Sequence, residues 1–421
     1  MSKFVIYGQK PLSGEIKVKG AKNAALKIIP AAILSQEKIT ITNIPHIEDV
    51  EKAIELIIDL GAKVQKKNDT LEIQIARFIK KELSANIANK FRASIMFVGP
   101  MLARIGEIKF PLPGGCVLAS GSHRPIDLFL EGFKKFGAKL KIKDGCYHLK
   151  AKKLKGCHYF FTTISVTGTE SLMMTAVLAE GKTTLQNCAS EPEIKVLADY
   201  LNEQGAKIKG AGTPTITIEG VKKIKAGIFN IIPDRIETGT FAILAAACKS
   251  EIVITHCNPN HIEVLLSIFD KIGVKYLTGP NWLKIQKAKT IKSYSMKTHE
   301  YPGFPTDLQA SYTTLMTQAQ GSSLIHETIY DRRLLYVDML MQMNADIIMC
   351  DPHRVVVNGP TQLRGKTLIS PDIRAGTAMI IAGLIAKGKT VIDNIYQIDR
   401  GYEKIEERLK KIGCDIKRID N

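Results

Sequence analysis

The residues best suited to chemistry in this chain sit together in one segment, Pro111–Asp127. Cys116 follows Gly114 and Gly115 there, with His123 and Arg124 close behind it. Nearby cations lower the pKa of a thiol and make the thiolate available as a nucleophile or proton carrier. Two adjacent glycines let the backbone turn tightly or come close to a ligand. A loop cysteine without a chemical role fits the same spacing, and the pattern alone leaves both readings open. The remaining cysteines, at 146, 157, 188, 248, 257, 350 and 414, include no Cys-x-x-Cys pair. That spacing disfavours a disulfide framework or a zinc cluster, no metal site is expected, and most of these cysteines are expected to be small buried hydrophobes.

A second set of chemically able residues recurs where polar junctions run into apolar segments. The junctions are Lys19-Gly-Ala-Lys22-Asn23, Asn89-Lys-Phe-Arg92, Ser165-Val-Thr-Gly-Thr-Glu170, Pro233-Asp234-Arg235-Ile-Glu237, Phe304-Pro-Thr-Asp307 and Ser370-Pro-Asp372-Ile-Arg374. A cation in the first turn of a helix opposes the macrodipole and costs a few tenths of a kcal/mol. Its recurrence suggests a bound anion, since free backbone N–H groups and a cation together form a phosphate or carboxylate site.

The elements that position these residues come from a repeat. A helix running into Gly-Ala-Lys-Val or a variant ends at Gly61, Gly137, Gly205, Gly273, Asn344 and Gly413, at intervals of about 70 residues. Each copy opens with an apolar helix: Ala24–Leu34, Ala93–Ala103, Ser171–Ala179, Phe241–Cys248, Ala310–Thr317 and Ala375–Ala386. With little charge on any face, these helices should be buried nearly all round. A strand follows, as at Lys38–Asn43, and then an amphipathic helix such as Asp49–Leu60. Val50, Ile54, Ile57 and Ile58 form its apolar side, and Glu51, Lys52, Glu55 and Asp59 its polar side. The helix ends at the signature glycine, where a left-handed cap is cheapest. Two further strands, such as Ala62–Gln65 and Leu71–Ile75, close the copy.

Six buried helices are too many for one ring, and 421 residues favour more than one core. The reading is an α/β (α+β) chain of two domains with three copies each, dividing near Ile231–Pro233. One domain is 22–232 with the Cys116 loop, and the other is 1–21 plus 233–421. Lys3–Lys19 lacks a partner in the first copy and is expected to pair with the last, giving a double crossover. Helix N-termini pointing the same way would give each domain a positive face, with substrate in an interdomain cleft.

Charge and composition set limits. Lys and Arg number 59 against 41 Asp and Glu, a net +18, which favours anionic partners through long-range attraction. The lysines are scattered and aromatics make up only 6%, so nucleic acid is not expected as a partner. No apolar run reaches the ~18 residues of a membrane span, and Met1–Lys10 has no secretory pattern. A soluble, cytoplasmic protein without a membrane partner is expected. Oligomeric state is not legible.

The clusters at Lys22-Asn23, Arg92-Ala-Ser, Pro113-Gly-Gly-Cys116, Arg124-Pro125-Ile126-Asp127-Leu128, Pro233-Asp234-Arg235-Ile-Glu-Thr-Gly-Thr240, Phe304-Pro-Thr-Asp307, Asp372-Ile-Arg374 and Ile398-Asp-Arg400-Gly-Tyr402 resemble the UDP-N-acetylglucosamine 1-carboxyvinyltransferases, an enolpyruvyl transferase family. The resemblance runs from about Gly14 to Lys417. It implies a two-domain inside-out α/β barrel of six βαβαββ repeats, three per domain. It also implies transfer of the enolpyruvyl group of phosphoenolpyruvate to the 3′-hydroxyl of UDP-N-acetylglucosamine, with phosphate released, at the first committed step of peptidoglycan synthesis. No cofactor is implied. Cys116 would donate a proton, form an adduct with phosphoenolpyruvate and be alkylated by epoxides of the fosfomycin type. Asp307 would lie by the sugar hydroxyl as a base. Lys22, Arg124 and Arg400 would neutralise phosphoenolpyruvate, with Asn23 beside them. Arg92, Arg124, Pro125, Ile126, Asp127, Leu128, Thr163, Ile164, Ser165, Val166, Asp307 and Ile329 would contact the nucleotide sugar. Asp234, Arg235, Arg333, Asp372 and Arg374 fall in the family's cleft motifs, although ion pairs between helix ends would explain them as well.

The chain departs from the family pattern by added residues around Ala119–Gly121, by Thr163 and Thr167, and by Gln397 where histidine is common. Two alternatives remain: an enolpyruvyl transferase acting on shikimate 3-phosphate, and a weakly catalytic paralogue that binds UDP-sugars and regulates. Cys116→Ser is expected to lose epoxide alkylation and most turnover, because a hydroxyl is a far weaker acid than a thiol. Unchanged turnover in that variant would place the proton donor elsewhere.

Overall fold

Every signature position adopts the left-handed backbone that ends a helix. Gly61, Gly137, Gly205, Gly273 and Gly413 have φ of 108°, 94°, 101°, 83° and 96°, and Asn344, which also tolerates this region, has 76°. The computed structural model describes residues 2–113 and 126–420. Cys116, Arg124 and Pro125 lie outside the described residues. The chain divides into two units, Met1–Lys19 with Pro233–Asn421 and Gly20–Ile232. Each has its own hydrophobic core.

Buried and outer helices alternate along the chain. Gly20–Ile232 holds α1 (Lys22–Ala31), α2 (Glu48–Asp59), α3 (Val98–Ile105), α4 (Asp127–Lys135), α5 (Val166–Ala176) and α6 (Pro192–Glu203). The other unit holds α7 (Arg235–Ala247), α8 (Glu263–Ile272), α9 (Thr306–Met316), α10 (Val337–Gln342), α11 (Ile373–Ile385) and α12 (Ile405–Lys411). All residues of α7 are buried and nearly all of α1 and α11 are, as their uniform apolarity predicts. Most buried helices begin earlier than the apolar pattern does. Ser165, Asp234 and Asp372 cap α5, α7 and α11 by accepting backbone N–H groups, and so draw the polar first turn into the helix. In the second copy the entry is a 3₁₀ turn, Arg92–Phe97, leading into α3.

The outer helix α2 corrects one detail of the pattern. Ile58 is 48% exposed while Ala53 and Leu56 are buried. At about 100° per residue Ile58 falls roughly 80° from Val50, on the edge of the stripe, whereas Ala53 and Leu56 fill its other flank. The cysteines also differ from expectation. Cys188, Cys257 and Cys414 are buried and Cys157 and Cys248 half-buried, but Cys146 and Cys350 are exposed on hairpin strands.

Among the described residues, five of the six sheets add a parallel strand from outside the copy to its antiparallel strands, while the sheet of Glu107–Pro111, Lys139–Lys143 and Cys146–Lys150 is antiparallel throughout. Thus Ile39–Thr42, Lys63–Lys67 and Thr70–Gln74 are joined by Ile228–Asn230, which returns from the third copy and closes the ring of Gly20–Ile232. The amino-terminal segment does this twice, as two strands rather than one. Lys3–Tyr7 lies antiparallel between Lys389–Asp393 and Asp415–Ile419, supplying the strand that the last copy lacks. Ser13–Lys17 pairs in parallel with Glu251–Thr255 of the fourth copy.

Within the core of Gly20–Ile232, Lys27 on α1 pairs with Glu170 on α5 at 3.2 Å, both side chains buried. Burial pushes the Glu170 carboxyl up to about 7; Lys27 opposes that rise, and Glu193 and Glu191 add to it. A raised carboxyl favours the folded state at low pH and loses that advantage as pH rises through about 7. Lys27→Met should therefore cost roughly 3–5 kcal/mol near pH 8, and less near pH 6, where a protonated Glu170 is tolerated. Lys27→Met with Glu170→Leu should recover most of the loss. Urea unfolding of the three proteins checks this, and an undiminished loss in the double variant would refute it.

Candidate active site

Asp307, Arg235, Arg333 and Arg374 meet where three buried helices begin. Asp307 is the second residue of α9, after Pro305 and Thr306, and it makes no capping bond. Its Oδ1 accepts from Nη2 of Arg333 at 3.0 Å, and its Oδ2 from Nη2 of Arg374 at 2.8 Å. Burial by itself would raise the Asp307 carboxyl. The charges of Arg374 and Arg333, the hydrogen bond from Arg374 and the charge of Arg235 outweigh it and hold the group well below the usual carboxylate range. Arg374 opens α11 and Arg235 opens α7, so the starts of α7, α9 and α11 converge on one carboxylate.

Other side chains fix this arrangement. Asp234 accepts the backbone N–H groups of Ile236 and Glu237, and Asp372 those of Arg374 and Ala375. Both act as helix caps, a structural role different from the ion pairs between helix ends that the sequence suggested for them. The guanidinium of Arg235 lies 5.5 Å from the ring centre of Tyr301, and that of Arg333 lies 5.6 Å from Tyr330. Glu327, fully buried, accepts from Thr298, from Thr306 and from the backbone N–H groups of Ile329 and Tyr330. It ties the start of α9 to the turn that carries Ile329. Arg400 is buried after the short helix Tyr396–Asp399 and donates to Oε1 of Gln397 at 2.9 Å.

In Gly20–Ile232 the cation at the start of α1 is likewise matched by a protein carboxylate. Lys22, 7% exposed at the first position of α1, reaches Oδ2 of Asp49 at the start of α2 at 2.7 Å. Asn23 follows it, half-buried, and Arg92 opens the 3₁₀ turn before α3, also half-buried. Ser165 caps α5 by accepting from the N–H of Gly168 at 3.1 Å. Thr163 is exposed and Ile164, Ser165 and Val166 are half-buried. Ile126 is buried, Asp127 exposed and Leu128 half-buried, with the Leu128 carbonyl taking the Tyr159 hydroxyl at 3.0 Å.

Sequence reasoning missed Asp49, Glu327 and Tyr402 as members of these clusters. Asp49 and Glu327 pair across gaps that no local spacing encodes. Tyr402 was visible in the Ile-Asp-Arg-Gly-Tyr run, but its contact with Arg374 exists only once α11 and the segment after Asp399 are packed.

The family model described as EPSP synthase (3-phosphoshikimate 1-carboxyvinyltransferase) matches residues 6–409. The chain belongs to this enolpyruvyl transferase family. A relative in Halothermothrix orenii named UDP-N-acetylglucosamine 1-carboxyvinyltransferase is 43% identical over 419 residues, covering 100% of both chains. One of the same name in Koribacter versatilis is 41% identical over 423 residues, covering 100% of this chain and 97% of the relative. Among solved structures, the enolpyruvyl transferase NikO from Streptomyces tendae superposes with a TM-score of 0.90 at 21% identity, covering 99% of this chain and 98% of that one. EPSP synthase from Acinetobacter baumannii superposes at 0.77 with 17% identity over the whole of both chains. These two comparisons establish the fold, the two-domain α/β architecture of the family. Among the described residues of this enolpyruvyl transferase, no helix is long and apolar enough to cross a membrane.

Because its folded-state pKa is depressed, Asp307 contributes stability that is present above its ordinary value of 3.8 and is lost as pH falls below it. The stability gap between the native protein and Asp307→Asn should therefore narrow from about pH 5 to about pH 2. A gap that stays constant across acid titration would show that the two guanidiniums do not hold Asp307 in this way.

Proposed function

We propose that the chain transfers the enolpyruvyl group of phosphoenolpyruvate to the 3′-hydroxyl of UDP-N-acetylglucosamine and releases phosphate, the step that commits this sugar to peptidoglycan. The observation that carries the reading is the full-length identity of 41% and 43% to relatives bearing that name. The site geometry supports it. The reaction adds a proton to C3 of phosphoenolpyruvate while an alcohol oxygen attacks C2. The tetrahedral product then loses the C3 proton and the phosphate.

An alcohol is a poor nucleophile, so a base must take its proton as C2 becomes electron-poor. Asp307 suits this role because its paired arginines keep it ionised and aim its oxygens. Its low basicity is matched to an alcohol whose acidity rises only as the new C–O bond forms. Lys22 and Arg400, both buried, with Arg124 and with Asn23 alongside, would offset the charge on phosphoenolpyruvate. Asp49 neutralises Lys22 in this structure and keeps the ammonium buried and aligned until an anionic ligand competes for it. Cys116 would supply the proton to C3. Arg92, Arg124–Leu128, Thr163–Val166 and Ile329 would contact the nucleotide sugar. A cytoplasmic enzyme acting on two small anionic substrates is the corresponding reading for partners and localisation.

A transferase acting on shikimate 3-phosphate is the competing member of the same family. Phosphate release from phosphoenolpyruvate, measured with UDP-N-acetylglucosamine and with shikimate 3-phosphate in turn, decides between them. Turnover is expected with the nucleotide sugar alone. Release with shikimate 3-phosphate alone would transfer the chain to the competing reading, and release with neither acceptor would favour a binding role.

A further inference from the structure

The hydroxyl of Tyr402 occupies a position that the reaction does not require and that the packing defines closely. Tyr402 is 1% exposed, and its oxygen receives Nη1 of Arg374 at 3.1 Å. The same guanidinium donates through Nη2 to Asp307. On the far side, the Tyr402 hydroxyl lies 3.0 Å from Oγ1 of Thr240 on α7. Donor directions along this chain can be assigned. Thr240 spends its own hydroxyl proton on the carbonyl of Ile236 at 2.8 Å, so towards Tyr402 it can only accept. Thr377, which also borders the phenol, directs its proton to the carbonyls of Ile373 and Arg374. Tyr402 therefore donates to a threonine oxygen and turns a lone pair towards Arg374.

We propose that Tyr402, oriented by Thr240, is a positioning residue for Asp307. It pins one end of the Arg374 guanidinium so that the other end meets Oδ2 of Asp307. A guanidinium is planar, and fixing both Nη atoms fixes the plane in which the carboxylate must lie. Without the phenolic oxygen Arg374 keeps its charge but loses that constraint, and a base misplaced by a fraction of an ångström loses rate rather than substrate affinity. The inference rests on the proposed role of Asp307 as the base that receives the alcohol proton.

Tyr402→Phe removes only the oxygen. The expected result is a fall in kcat of about tenfold or more, with KM for UDP-N-acetylglucosamine within about twofold of the native value. Thr240→Val should lower kcat in the same way, and Thr240→Ser, which keeps the hydroxyl, should recover most of the loss. A second readout does not depend on turnover. The unfolding free energies of Tyr402→Phe, Asp307→Asn and the double variant should fail to add, because both residues bear on one guanidinium. Native kcat in Tyr402→Phe, or additive effects on unfolding, would overturn the proposal. If the native protein releases phosphate with neither acceptor, the substrate reading fails, and the unfolding cycle still decides whether Tyr402 acts on Asp307.

Discussion

One carboxylate holding two guanidiniums organises the site in Pro233–Asn421. Three helices begin around Asp307, and each brings the partial positive charge of its free N–H groups together with an arginine from its first turn or from nearby. Such a concentration of positive charge repels itself unless an anion is placed inside it. Asp307 supplies that anion, since it is not spent on capping its own helix as Asp234 and Asp372 are. The result is a carboxylate that stays ionised and directed, with lowered basicity. A reaction in which the alcohol becomes acidic only during attack can use such a group.

The same logic governs Gly20–Ile232 with different residues. Lys22 at the start of α1 is met by Asp49, and Lys27 further along the helix by Glu170. Cations at helix starts led to the expectation of bound anions, and in this structure Asp49 takes that role for Lys22 and Asp307 for Arg374. The two ideas are compatible. A protein carboxylate and a ligand's phosphate or carboxylate are chemically equivalent partners for a buried cation. The deeper pair differs in kind. It lies between α1 and α5 in the core, where removing either charge strands the other.

The repeat explains why the scaffold can bear such charges. Each copy buries one helix on every side and covers it with a hairpin sheet and an outer helix, so the apolar contacts accumulate along helix bodies and leave the tips for polar work. Each ring is closed by a borrowed strand, Ile228–Asn230 in one unit and Ser13–Lys17 in the other. Lys3–Tyr7 adds the strand that the last copy does not contain. The amino-terminal segment was legible as unpartnered. Its division into two strands was signalled by Gly8 and Pro11, turn residues that the reading of Lys3–Lys19 as one segment passed over.

Periodicity and turn chemistry are local properties, and they were readable without coordinates. The signature glycines and Asn344 announced the helix ends, uniform apolarity announced the buried helices, and the charged residues at the junctions announced where buried ion pairs would form. Family motifs pointed to Asp307, Lys22 and Arg400 in the same way. What the chain could not disclose by itself was pairing at a distance. That Asp49 answers Lys22, that Glu327 holds both Thr306 and the turn at Ile329, and that Tyr402 stands behind Arg374 depend on how helices far apart in sequence pack side by side. Those contacts arise from the sum of many weak apolar interactions in the core, and no short stretch of residues contains that sum.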